Sequence, residues 1–215
     1  MEDNQLKQLW QSYAGQLEAS QALSRENAEE ITQMKVLHFI GSMKPIKIFT
    51  LLIGFLWVIF VDSLIVALFH HASFFFLASA AIQVVLTKLA IGIYLYQLVL
   101  IYQVDLGSPI LAVQEKLASL KSSTLWSARV LFLQLPVWTT FYLNKGMLEN
   151  GNPALYLLQV GVTLAFTGLA IWLFRNIRYE NRDKKWFRLI FQGREWDPVI
   201  RSIGLLEEIE QFKKG

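Results

Sequence analysis

Two long apolar runs, Ile48–Phe69 and Phe74–Gln103, are joined only by His70-His71-Ala72-Ser73. At about 1.5 Å of rise per residue, each run is long enough to cross a hydrocarbon core about 30 Å thick. The four-residue joint allows only a tight helical hairpin. Two ionisable residues, Asp62 and Lys88, interrupt the hairpin. A chain built around such a stretch is a membrane protein, and the rest of the sequence is read against that constraint.

Composition agrees: 54% of the 215 residues are apolar, above the usual share for a soluble domain. Seven Trp and fifteen Phe suit lipid-facing helices with interfacial anchors. The absence of cysteine removes disulfides, thiolate metal sites and thiol nucleophiles. The first 45 residues are polar and hold no apolar core of a cleavable signal peptide. The first apolar run is therefore expected to act as an uncleaved signal anchor. No lipidation motif is visible, since Glu stands at position 2 and no Cys at the C-terminus.

Along the chain, residues 1–44 read as an acidic helical arm, with six acids against three bases in residues 1–43. Leu6, Trp10, Tyr13 and Leu17 follow a 4-3-4 spacing and share one helix face. Leu23-Ser24 reads as a second helix start, with Ser24 as N-cap and Glu26 in the first turn. This predicts two helices, 2–19 and 25–42, forming a hairpin or a coiled-coil-like arm. The pair either lies against the rest of the protein or captures a partner.

Residues 45–174 form the membrane domain, with four spans expected at about 48–70, 74–103, 125–143 and 154–174. Ser108-Pro109 begins a cytoplasmic amphipathic helix over 109–122, carrying Ile110, Val113, Leu117 and Leu120. Pro136 is expected to kink the third span. Arg129 can snorkel from the start of that span. The loop 144–153 is rich in turn formers. Gly161 and Ala165, with Gly168 beyond, permit close helix contact in the fourth span.

The tail, 175–215, opens with a basic and aromatic stretch: Arg175, Arg178, Arg182, Lys184, Lys185, Trp186 and Arg188. This reads as topology signal plus an interfacial helix on anionic lipid. The neighbouring membrane exit disfavours nucleic acid as its target. Asp197-Pro198 starts a C-terminal helix with Ile203, Leu206 and Ile209. With four spans, both termini share a side, and that side holds most of the Lys and Arg. The positive-inside rule places it in the cytoplasm.

Chemistry has few candidates. Asp62 and Lys88 are intramembrane charges and hence site candidates by default. Counting depth from a turn between His71 and Ala72 sets them seven residues apart, roughly 10 Å at helical rise. That offset favours separate polar partners, with Gln83, Gln134, Gln159 or His70/His71 available to Asp62. The three His lack metal-ligand spacing, and no P-loop, GxGxxG or GxSxG is present. No catalytic, cofactor-binding or metal residue is assigned, and the chain is expected not to be an enzyme.

The layout also resembles a known group. The acidic arm, two hairpins, the Ser-Pro-Ile-Leu-Ala-Val-Gln-Glu-Lys-Leu helix and the Leu-Leu-Glu-Glu-Ile-Glu-Gln-Phe-Lys-Lys ending are similar to small uncharacterised bacterial four-helix inner-membrane proteins. That resemblance implies an association with sigma-factor-type regulators and an anti-sigma-like role for the arm. It transfers no site residue. The expected fold is thus all-α. The expected function is a non-enzymatic membrane protein whose cytoplasmic helices, through 1–42 or the C-terminal helix, bind a protein partner or self-associate. The competing expectation is a small transporter or channel subunit using Asp62 and Lys88.

Overall fold

The computed structural model describes residues 2–104, 110–150, 152–191, 198 and 202. Its elements are all helical, with no strand among the described residues. Seven α-helices follow in order: α1 (Glu2–Gly41), α2 (Lys44–Leu68), α3 (Phe74–Gln103), α4 (Ile110–Phe132), α5 (Lys145–Asn150), α6 (Pro153–Asn176) and α7 (Lys185–Phe191). Three stretches, Glu30–Leu68, Phe74–Gln103 and Pro153–Asn176, are long and apolar enough to cross a membrane. The fold is therefore compatible with a multi-pass membrane protein. The expected C-terminal helix with Ile203, Leu206 and Ile209, and the Ser108-Pro109 cap, lie outside the described residues.

The N-terminal arm is one 40-residue helix, not two. Ser24 does not start a new helix, because strong helix formers surround it and no Pro intervenes before residue 45. A cap signal decides a boundary only where propensity drops. At Pro45 the interruption is slight. Only Ser42 and Met43 separate α1 from α2, and Met43 keeps helical dihedrals (φ −80°, ψ −20°). Proline is tolerated there because it falls in the first turn, where an N–H would be unpaired anyway.

α2 and α3 form the expected hairpin. Ser73 caps α3, its hydroxyl accepting from the Phe76 N–H at 3.2 Å. Along the hairpin Val58 and Val61 bury against Ala80 and Val84. Closest approach is at Gly54, where an added Cβ would stand 3.3 Å from Ile91. The glycines expected to give close contact, Gly161 and Gly168, have nothing within 4 Å of such a Cβ. Gly54→Ala should therefore cost about 1 kcal/mol as Ile91 is displaced. Gly161→Ala should gain a few tenths of a kcal/mol, since Ala is the better helix former. Thermal unfolding of the two variants in one detergent tests the contrast, and equal shifts would refute it.

α4 is not among the three apolar stretches, and it is not divided as expected. The predicted amphipathic helix 109–122 and the start of the predicted span 125–143 are one continuous helix. Its inner face buries Val113, Leu117 and Leu120 against Leu100 and Ile101 of α3 and against Val36, Ile40 and Met43. Beyond Phe132 the expected kinked helix becomes a run of turns and a short 3₁₀ segment, Val137–Thr139. The bonds there are i to i−3, as Gln134 N to Leu131 O at 3.2 Å and Thr139 N to Pro136 O at 3.0 Å. Pro136 lacks an N–H and disfavours α geometry at Leu135, so the helix ends before it.

Residues 110–143 run antiparallel to α3 along its whole length. Lys116 donates to the Gln103 carbonyl near one end. Ser73 donates to the Leu143 carbonyl at the other, 2.7 Å away. α6, capped by Asn152 and with Pro153 in its first turn, returns beside this segment. α7 folds back onto the α4/α6 end, where Phe187 and Phe191 bury with Leu125, Leu173 and Ile177.

Candidate functional site: charges and polar contacts within the helix bundle

Asp62 and Lys88 are a direct ion pair, Nζ to Oδ2 at 3.0 Å. This corrects the expected separation, and register supplies the reason. Gly54 approaches Ile91, Lys47 bonds Gln97 at 2.5 Å, and Lys44 lies over the Tyr102 ring at 4.3 Å. Those levels put Asp62 opposite Gln83, so Lys88 lies five residues away, about 7.5 Å at helical rise. Side chains on a helix lean toward its N-terminus. In this antiparallel pair Asp62 and Lys88 therefore lean toward each other, and the long Lys stem closes the gap. Of the expected alternative partners, Gln134 and Gln159 bond elsewhere. His70 and His71 are exposed in the turn beyond α2.

A second charge lies deeper. Lys47 is 0% exposed, as is Gln97, whose Oε1 accepts from the ammonium. The Tyr94 ring stands 4.6 Å from Nζ. Gln97 Nε2 is buried with no hydrogen-bond partner among the described residues. Lys47 is not among the residues the sequence singles out, although a depth count from the His71/Ala72 turn sets it level with Tyr96, one residue from Gln97.

The irregular stretch after α4 is held by a polar seam. Gln134 donates to Thr87 Oγ1 at 3.1 Å. Ser79 and Thr140 share a hydroxyl contact of 3.0 Å, as do Thr139 and Thr163. Gln159 Nε2 donates to the Thr139 carbonyl at 2.5 Å. Gln159 of α6 thereby satisfies a backbone carbonyl of the irregular stretch, while the other contacts join side chains of α3 and α6 to it. At the other end Arg129 donates from Nε (2.8 Å) and Nη2 (2.5 Å) to the Ile177 carbonyl, tying α4 to the end of α6.

Between α3 and α4 lies a lateral groove of about 680 Å³, with Lys88, Gly92, Tyr96, Ser122 and Trp126 among its lining. The basic residues Arg175, Arg178, Arg182, Lys184, Lys185 and Arg188 are all exposed, while Trp186 packs on Trp172 with ring centroids 4.9 Å apart. Arg182 lies over Tyr179 at 4.5 Å from the centroid, and Lys121 at 4.0 Å. The tail thus presents its charges outward around an aromatic core. Among the described residues no group of three or more His, Cys, Asp or Glu could hold a metal ion.

The arm contrasts with this packed body. Trp10, Tyr13 and Leu17 are 72%, 66% and 63% exposed. Among the described residues, α1 joins the buried core at its last turns, through Val36 and Ile40. No family model, curated protein or solved structure matches the chain.

Proposed function

We propose that this chain is a non-enzymatic integral protein of a bacterial inner membrane that presents α1 to the cytoplasm as an interaction arm. It crosses the bilayer four times, with both termini cytoplasmic. The third crossing is made by the second half of α4 and the seam-held segment that follows it. Support comes from the Lys and Arg excess on the shared side and from the antiparallel course of residues 110–143 beside α3. The observation that carries the role is the arm itself, a helix whose large apolar side chains Trp10, Tyr13 and Leu17 have no cover among the described residues. Contiguous exposed apolar surface of this kind marks an interaction site. The exposed basic residues around α7 then hold the body against anionic headgroups. The resemblance to sigma-associated membrane proteins suggests a transcription regulator as one partner.

The test compares two variants of the full chain in native membranes by crosslinking and native electrophoresis. One lacks residues 2–30 but keeps Val36, Ile40 and Met43 in the core. The other carries Asp62→Asn with Lys88→Met. The complex should disappear in the first and persist in the second. The reverse outcome would replace the proposal with a second reading, a small transporter or channel subunit. That reading draws on the Asp62–Lys88 pair beside the lateral groove.

A further inference from the structure

The apolar face of α1 continues much further than its first four residues suggest. Leu6, Tyr13, Ser20, Asn27 and Met34 repeat every seven residues. Trp10, Leu17, Ser24, Ile31 and His38 form the second such series, four and three residues from the first. Together they trace the alternating seam of a two-stranded coiled coil. Every described side chain on this seam, from Trp10 to His38, is exposed. The opposite face is the one the body uses, since Val36, Ile40 and Met43 are buried and lie about half a turn from Ile31, Met34 and His38. The seam is therefore a second face, with no cover among the described residues.

We infer that this seam is covered by α1 of a second copy, in a parallel, in-register pair of helices. This rests on the arm being the interaction element proposed above. Copies inserted in one bilayer share an orientation, so their arms leave on the same side and run in the same direction. In a parallel pair, the position just before one seam residue faces the partner position five residues on. Glu30 and Lys35, both exposed, stand in that relation. In the sequence Glu2 and Lys7 repeat it at the same heptad positions. Lys7 and Lys35 are the two lysines among the first 43 residues, so both fall opposite an acid of the other copy. The polar seam positions Ser20, Ser24 and Asn27 meet their own equivalents only when the helices are in register. A shift by one heptad sets Ser24 against Leu17 or Ile31, and sets either Ser20 against Tyr13 or Asn27 against Met34. A polar seam residue fixing register in this way is well attested in coiled coils.

The chain contains no cysteine, so single cysteines report this geometry without background. In the full-length protein in native membranes, Ser24→Cys and Asn27→Cys should form disulfide-linked dimers at least ten-fold faster than Glu18→Cys and Ala19→Cys, which are exposed at heptad positions off the seam. Lys35→Glu should reduce linking at Asn27→Cys, and adding Glu30→Lys should restore it. Equal rates at all four positions, or no linked dimer at any, would overturn the pairing. If the seam cysteines fail while an arm-dependent complex holds a different protein, self-pairing is wrong and the arm's role stands. If removing residues 2–30 alters no complex, both fall.

Discussion

Gln97→Leu should destabilise the helical body by about 3 kcal/mol, the scale expected when a buried charge loses its partner. The Lys47 ammonium is fully enclosed, and Gln97 Oε1 is the acceptor placed 2.5 Å from it. Leucine takes that acceptor away from an enclosed ammonium that lies 4.6 Å from the Tyr94 ring. Lys47→Met should cost less, about 1–2 kcal/mol, because it removes the charge and strands only a neutral amide. The double variant should recover much of the loss, since replacing both partners by apolar groups of similar shape is often close to neutral. The measurement is unfolding in a mixed detergent titration. A Gln97→Leu variant as stable as the parent would show that the pair contributes nothing to holding the hairpin.

The second large effect is expected at Asp62 and Lys88. A lone charge at the centre of a membrane helix costs about 2.5–3.5 kcal/mol on insertion scales. Each half of this pair neutralises the other at 3.0 Å, so Asp62→Asn or Lys88→Met alone should lower stability by roughly 2 kcal/mol. Both side chains are about half exposed at the helix surface, so the figure sits below that for Lys47. The double change should be less damaging than the sum of the singles, with a coupling of about 1–2 kcal/mol. The swap Asp62→Lys with Lys88→Asp should retain part of that coupling. It would lose some because the shorter and longer stems then lean from the wrong helices. Strict additivity of the singles would mean that the ion pair does not exist in the membrane.

How far the sequence announced this arrangement depends on the range of the forces involved. The hairpin was legible because its signals are local. Phe74–Gln103 was bounded to the residue by the two ends of the apolar run. α6 was placed to within two residues for the same reason, with Asn152 and Pro153 at its start. The misreadings have two sources, local signals given too much weight and partners far away in sequence. Ser24 looks like a cap only if the helix must stop, and nothing in the fold requires it to stop. The α4 boundary near residue 124 looked natural because polarity changes there, yet a helix feels backbone hydrogen bonds and not the medium. The seam at Gln134, Thr139 and Thr140 depends on Thr87, Ser79, Gln159 and Thr163 arriving from two other helices. The Asp62–Lys88 pair needed the hairpin register and the lean of each side chain, where counting from the turn alone supplied only a depth.

The two-residue joint between α1 and α2 has a mechanical consequence. A hinge requires backbone that can leave helical geometry at little cost. Ser42 and Met43 do not provide it, because Met43 is helical in its dihedrals and 0% exposed in the core it shares with α3 and α4. Arm and first apolar helix are therefore one rigid rod. On the proposed topology, whatever grips the arm is held at a fixed angle to α2, with no bending joint between them.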